Sequence, residues 1–414
     1  MDYDYLIVGG GLAAASAVDG IREVDEDGSI AVLSDEEDAP YHRPPLSKEF
    51  LQAPDGAPRS LLHVKPEGWF EEEADAELHL GRRATRLSPD AMKVETASGG
   101  DVTARRILLV TGGRPRDLDV PGTDLDGVAT LRTAGDSERI RSRAREADRT
   151  VLVGAGFIGM ELAAAFTDFD ARPTVVEVQD RVWGRMLPGR LADWMQSYFE
   201  ERGVEFRLGE SVDAFAGGDA VEEAELSGGG RLDCGLAVVG VGIRPNHELA
   251  ADAGLAVDDG IVVDEHAETD AEGIYAAGDV ARYPDPVFGD RARVEHWDHA
   301  KAHGRLAGRN MAGAGESYDH LSYFFTDVFD LSLNVYGRPT TADRTVLRGD
   351  LEDAADEGCV ALGERDGRVV SAILINDQEP MDACRRLVRA RATFDERLGD
   401  PGAGLEDLAD ELGA

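Results

Sequence analysis

Lysine is almost missing from this chain of 414 residues: only Lys48, Lys65, Lys93 and Lys301 occur, so arginine supplies 39 of the 43 basic residues. Cysteine is scarce too, limited to Cys234, Cys359 and Cys384. Three scattered thiols with no Cys-x-x-Cys build neither a disulfide framework nor a zinc site. No apolar run reaches the ~18 residues that a membrane span needs. Acidic residues number 82 and the formal charge is −39. That balance excludes a nucleic-acid partner, because phosphate contacts need a basic surface. The opening Met1-Asp2-Tyr3-Asp4-Tyr5 is acidic and runs straight into a strand pattern, so no signal peptide and a cytoplasmic protein are expected.

An acid excess joined to lysine depletion resembles the composition of proteins from salt-loving cells, the alternative being a merely acidic protein from a GC-rich genome. Such surfaces stay hydrated in strong salt, where a Debye length of ~3 Å at 1 M removes most self-repulsion. The apolar share of 42% is that of a globular protein. The length exceeds what a single core supports and predicts two to four domains.

The strand Tyr5-Leu6-Ile7-Val8 runs into Gly9-Gly10-Gly11 and an alanine-rich helix, and the same unit recurs at Val151-Leu152-Val153 and Gly154-Ala155-Gly156, 145 residues later. An internal repeat of this kind means two nucleotide-binding domains. Strand patterns follow across Leu78–Val110 and Val204–Val241. A helix is expected over Glu295–Asn310. From Leu321 strands return, followed by an amphipathic helix near Met381–Phe394 and, after Asp400, an acidic tail read as loose.

Each repeat carries its full context. The first has Gly9, Gly11 and Ala14 after a strand, a second strand over Ser29–Leu33, and Glu36 beyond it. The second has Gly154, Gly156 and Gly159, then Thr174–Val176 with Glu177 at the strand end. The first glycine allows the tight turn and the second lets backbone approach a pyrophosphate. The third small residue lets helix pack on strand, and the helix N-terminus faces the phosphates. The carboxylate accepts hydrogen bonds from a ribose diol. Glu177 would repel a 2′-phosphate, so NADH is preferred over NADPH, a preference that Arg181 downstream could soften.

Five further motifs occur in order: Pro40-Tyr41-His42-Arg43-Pro44-Pro45-Leu46-Ser47-Lys48, Thr111-Gly112-Gly113-Arg114-Pro115-Arg116, Gly240-Val241-Gly242-Ile243-Arg244-Pro245-Asn246, Ile274-Tyr275-Ala276-Ala277-Gly278-Asp279 and Arg293-Val294-Glu295-His296-Trp297-Asp298-His299-Ala300. In this order and spacing the set resembles the FAD-dependent, NADH-linked ferredoxin reductases, a group that includes putidaredoxin and rubredoxin reductases, dioxygenase reductase components and apoptosis-inducing factor. The likeness covers about residues 3 to 340. It implies an α/β fold of two Rossmann-like domains, with the NAD domain inserted in the FAD domain, and a C-terminal α+β domain. The expected divisions are 1–116 (FAD, first segment), 117–243 (NAD), 244–318 (FAD, second segment) and 319–414 (C-terminal).

Gly9, Gly11, Ala14 and Glu36 would then serve FAD, and Gly154, Gly156, Gly159 and Glu177 would serve NADH. The resemblance adds Arg43, Lys48, Gly112, Arg116, Gly242, Asp279, Glu295, His296, Trp297 and Phe325 as cofactor-lining residues, with Asp279 toward the ribityl chain. It makes Lys48 and Glu161 a catalytic pair, an ammonium stabilising an electron-rich ring. His296 and His299 are at best lining residues, since hydride transfer needs no general base. The family's Phe-Trp-Ser-Asp is here Phe324-Phe325-Thr326-Asp327, so an indole is replaced by a phenyl ring.

The resemblance implies hydride transfer from NADH to FAD, then single electrons to an external acceptor. Disulfide reductases and thiol-based NADH oxidases need cysteine within Asp35–Phe50, which has none. The expected partner is a small acidic iron–sulfur protein or rubredoxin, met by a monomer or homodimer. For such a partner Arg385, Arg386, Arg389 and Arg391, or Arg291 and Arg293, are candidate docking charges, unless they pair with nearby acids. Arg139, Arg141, Arg143 and Arg145 are expected to pair locally. Two other readings stand beside this one: an NADH-sensing flavoprotein like apoptosis-inducing factor, and a slow NADH:oxygen oxidase. No metal is expected.

Overall fold

A computed structural model describes residues 2–414 and resolves into two units, each interrupted in sequence. The first comprises residues up to Arg43, Pro58–Arg114 and Ile243–Ser322. Its seven-stranded sheet is parallel around Asp2–Val8, which lies between Ile30–Leu33 and Asp101–Leu109. The last of these does double duty. Its start pairs antiparallel with Lys93–Thr96, and its end pairs parallel with Ile274–Ala276. That end, Ile107-Leu108-Leu109, is fully buried, as a parallel strand covered on both faces must be.

The alanine-rich helix Leu12–Arg22 crosses the helix Trp297–Met311 at backbone contact. A Cβ on Gly20 would stand 2.1 Å from the Arg305 carbonyl oxygen, and one on Gly308 would stand 2.1 Å from that of Ala17. The second helix begins two residues later than the sequence suggests. His296 is its extended N-cap, so Glu295 and His296 precede the helix rather than open it.

The second unit comprises Pro44–Ala57, Pro115–Gly242 and Tyr323–Ala414. It holds a five-stranded parallel sheet in the order Glu205–Leu208, Pro173–Glu177, Thr150–Val153, Leu236–Val239, Val128–Ala129. A three-stranded antiparallel sheet, Val212–Gly217, Val221–Leu226 and Arg231–Asp233, adjoins it in sequence. Beyond Tyr323 five antiparallel strands form a further sheet in the order Tyr323–Val328, Leu331–Gly337, Arg368–Ile375, Cys359–Arg365, Arg344–Arg348.

The amphipathic helix spans Met381–Arg389 and stops short of Phe394, because Arg391 turns left-handed (φ +47°). The Phe394 N–H then donates to the Gly367 carbonyl. The acidic tail is not loose: Leu405–Glu411 is a helix that buries Leu405, Leu408 and Ala409. Apolar residues at i, i+3 and i+4 form one stripe, and that stripe outweighs the charge around it.

Candidate active site

In the first unit the turn after Asp2–Val8 is tight because it must be. Gly9 sits at φ +129°, and a Cβ there would be 2.2 Å from the Val110 carbonyl oxygen. Gly11 is the N-cap of the next helix, and a Cβ on it would meet nothing within 4 Å. Open space before a helix N-terminus of eleven residues is a cradle for a phosphate anion. Ala14 is fully buried where helix meets sheet. Glu36 is already engaged: it accepts from Arg43 Nη2 at 2.5 Å and from the Tyr41 hydroxyl at 2.6 Å. A carboxylate offers about four lone-pair positions, the capacity that a sugar diol would draw on.

Thr111 and Asn246 clamp the two crossing segments: the Thr111 hydroxyl donates to the Asn246 carbonyl (2.6 Å) and Asn246 Nδ2 donates to the Thr111 carbonyl (2.9 Å). The Asn246 N–H donates to the carbonyl of Gly112, which adopts φ +61°. Asp279 lies in the short turn Gly278–Val280 that follows Ile274–Ala276, and its charge acts on Arg43. Glu295 pairs with Arg293 rather than standing free. His296 is pushed down to about 4 by burial and is therefore neutral. Trp297 donates its indole N–H to His42 Nδ1 at 2.9 Å.

The second unit repeats the turn. Gly154 has φ +106° with the Gly240 carbonyl oxygen 2.6 Å from a would-be Cβ, Gly156 caps Phe157–Thr167 with nothing within 4 Å, and a Cβ on Gly159 would strike the Gly154 carbonyl oxygen. Glu177 accepts from the Ala155 N–H at 2.7 Å and the Gln179 N–H at 2.9 Å, so its carboxylate is fixed beside the turn. Arg181 is held by Asp193 at 2.8 Å. The Arg116 N–H donates to the Gly242 carbonyl (2.9 Å), which joins the two linkers on this side. Phe325 is half-buried beside Tyr323, with ring centroids 6.1 Å apart.

The excursion Pro44–Ala57 brings Lys48 to Glu161. The ammonium lies 2.6 Å from Oε1, with side chains 12% and 6% exposed. Two further donors, missed in the sequence, close on the same carboxylate: the Thr326 hydroxyl at 2.7 Å and the Ser47 hydroxyl. Both sit next to residues singled out by motif, Ser47 beside Lys48 and Thr326 beside Phe325, and that adjacency was the available signal. Of the four alternating arginines only Arg139 pairs within its own helix, with Asp136; Arg143 meets Asp126, and Arg141 and Arg145 both meet Asp55. Arg141 is buried and donates to the Phe50 carbonyl at 3.0 Å, while Ser137 donates to the Leu46 carbonyl at 2.7 Å, so together they pin the excursion.

No sulfur chemistry is available. All three cysteines are free and buried, and burial pushes Cys234 up to about 12, Cys359 to about 11 and Cys384 to about 12. Among the described residues no group of His, Cys, Asp or Glu could hold a metal ion, and no helix is long and apolar enough to cross a membrane. Two dinucleotide-type turns, each ending in a placed carboxylate, define a pyridine-nucleotide flavoprotein whose redox group is bound rather than made from cysteine.

The comparisons agree. Residues 3–304 match the family model described as pyridine nucleotide-disulphide oxidoreductase, and residues 323–409 match the one described as reductase C-terminal. The chain belongs to the pyridine nucleotide-disulphide oxidoreductase family and is an NAD(P)H-dependent flavin oxidoreductase that uses FAD and NADH. It is 34% identical to the anthranilate 1,2-dioxygenase system ferredoxin–NAD(+) reductase component of Burkholderia cepacia, over 97% of this chain and 98% of that protein. A ferredoxin reductase from Rhodopseudomonas palustris superposes with a TM-score of 0.93 at 32% identity, covering 98% of this chain and all of that one. The putidaredoxin reductase of a covalent complex with putidaredoxin superposes with a TM-score of 0.93 at 28% identity, covering 100% of this chain and 99% of that one.

Proposed function

We propose that this enzyme takes a hydride from NADH and passes the electrons singly to a ferredoxin-type iron–sulfur protein. The observation that carries the reading is the pair of complete dinucleotide turns in a chain whose only thiols are buried and unbridged. With no internal disulfide to reduce, the acceptor is external. Bound FAD supplies the conversion of a hydride pair into single electrons. The chain supplies the rest. Gly9, Gly11 and Ala14 admit one pyrophosphate, and Glu36 and Asp279 hold its sugar and ribityl hydroxyls. Gly154, Gly156, Gly159 and Glu177 do the same for NADH, and the carboxylate of Glu177 disfavours a 2′-phosphate. The ion pair of Arg181 with Asp193 keeps that guanidinium from softening the preference. Arg43, Gly112, Arg116, Gly242, Glu295, His296, Trp297 and Phe325 complete the lining. Lys48, fixed by Glu161, contributes positive charge to the electron-rich ring.

Stopped-flow absorbance at 450 nm tests this. Under argon, NADH should bleach the flavin, and an added two-iron ferredoxin should restore it rapidly. A long-lived long-wavelength band that ignores ferredoxin would instead support the NADH-sensing reading, and oxygen uptake without ferredoxin would support the oxidase.

Within the same proposal rubredoxin is the alternative acceptor, and the protein works as a monomer or homodimer in the cytoplasm, where the NADH pool lies. The charge of −39 with four lysines supports a halophilic setting, in which activity rises with KCl into the molar range.

A further inference from the structure

Four of the six arginines that the sequence offered for docking are spent elsewhere. Arg385 pairs with Asp382, Arg386 with Glu406 and Asp410, and Arg293 with Asp259 and Glu295. Arg291 donates to the Val263 carbonyl. The lysines show a sharper contrast. Lys48 is bound to Glu161, Lys65 to Asp19, and Lys93 to Asp101 and Glu95. Lys301 is exposed and has no carboxylate within ion-pair distance among the described residues; its ammonium stands over the Trp297 ring, 5.1 Å from the centroid. In a chain with 82 acids and four lysines, one ammonium left without an acid is an anomaly.

Its surroundings are built. Trp297, Lys301 and Arg305 follow at i, i+4 and i+8 and so share one face of the helix Trp297–Met311. Arg305 is compensated by Glu23 at 2.5 Å. The indole is fixed by His42, whose imidazole is held below its ordinary value by burial and by the Lys301 charge, so it accepts the indole N–H as a neutral ring. Of the acids nearby, Asp298 is bound to His320 at 2.6 Å and Glu295 to Arg293. Exposed arginines without an acid partner occur elsewhere too, among them Arg83, Arg149, Arg172, Arg185, Arg207 and Arg244, but none of these stands over an aromatic ring as Lys301 does. Arg149 and Arg172 also precede their strands, Thr150–Val153 and Pro173–Glu177, and so lie at the amino ends, opposite the carboxyl ends where such sheets bind ligand.

We propose that Lys301 on the Trp297 plate is the anchor on which an acidic iron–sulfur protein docks. The inference rests on the electron-transfer reading above and names the surface through which that acceptor is met. A carboxylate of the partner takes the one uncompensated ammonium of this face, and the tethered indole gives it a rigid apolar floor. Strong salt suits this design. With a screening length of ~3 Å at 1 M, long-range steering disappears and a contact ion pair backed by an aromatic ring is what survives.

The test is steady-state reduction of an acidic two-iron ferredoxin by the FAD-loaded enzyme with NADH, at 0.1 M and 1 M KCl, with ferricyanide as the small acceptor. Lys301→Glu should raise KM for ferredoxin about fivefold to tenfold, Lys301→Gln about threefold, and Lys301→Arg less than about twofold. Ferricyanide turnover and KM for NADH should stay at wild-type values in all three. A Lys301→Glu enzyme whose KM for ferredoxin equals that of the wild type overturns the docking site alone. A wild type that reduces ferricyanide but not ferredoxin overturns the acceptor reading and the docking site with it. Equal losses with ferredoxin and ferricyanide overturn docking in favour of an effect on flavin loading.

Discussion

Neutralising Glu161 gives the most direct reading of the buried pair. The Lys48 ammonium and the Glu161 carboxylate are 2.6 Å apart and 12% and 6% exposed. With an effective dielectric constant of ~20, unit charges at that separation attract by about 6 kcal/mol, and desolvation of both groups takes back a large part. Removing one partner of a buried pair costs about 3–5 kcal/mol, because the other charge is left without compensation. Glu161→Gln keeps an oxygen for one of the two hydroxyls, so the loss belongs near the lower end, about 3 kcal/mol. Lys48→Met leaves a carboxylate still served by Ser47 and Thr326 and should cost less, about 2 kcal/mol. The double variant should cost much less than the sum, with a coupling energy of about 2 kcal/mol. Urea unfolding of the four FAD-loaded proteins, followed by circular dichroism and tryptophan fluorescence at fixed salt, measures that coupling. A coupling under about 0.5 kcal/mol, or one that fades between 0.1 M and 1 M KCl as exposed pairs do, would refute the reasoning.

Glu177→Ala should raise KM for NADH far more than it lowers kcat, because a lost ribose contact is uniform binding; an unchanged KM would defeat its assignment. Gly9→Ala places a methyl group 2.2 Å from the Val110 carbonyl at a positive φ, so the purified protein should lack 450 nm absorbance; full FAD occupancy would contradict the cradle. His303 is fully buried and pushed down to about 3 by that burial. The unfolded chain takes up a proton near pH 6.5 that the folded chain refuses, so stability is complete above 6.5 and falls as pH drops toward 3. The loss is about 1.4 kcal/mol per pH unit, or about 2 kcal/mol at pH 5. His303→Gln should lessen, without abolishing, the fall of urea midpoints between pH 6.5 and 5, because burial also holds His296 and His299 low; an unaltered slope would assign the acid sensitivity elsewhere.

What was legible in the sequence was local. The turns at Gly9 and Gly154 could be read because strand, glycine spacing and distant carboxylate lie within thirty-odd residues and serve one geometric demand. The extra donors on Glu161 could not. Ser47 and Thr326 are 114 and 165 residues away from it, and a hydroxyl carries no pattern that announces its partner. The same distance hid the fate of the docking arginines. Arg386 meets Glu406 and Asp410 only because the acidic tail folds, and in that tail the charge masks the apolar spacing of Leu405, Leu408 and Ala409. Boundaries moved for stereochemical reasons: an extended His296 delays one helix, and a left-handed Arg391 shortens another.

The strand Asp101–Leu109 has a temporal consequence. One of its neighbours, Ile274–Ala276, is synthesised long after it. At 5–20 residues per second a ribosome needs roughly ten to thirty seconds to cover the intervening stretch. Throughout that interval an apolar ribbon, Ile107-Leu108-Leu109, waits in the nascent chain with one rim bare and open to misplaced pairing. Slowing translation through the first hundred residues would not shorten that wait, because the missing neighbour comes from the far side of the insertion.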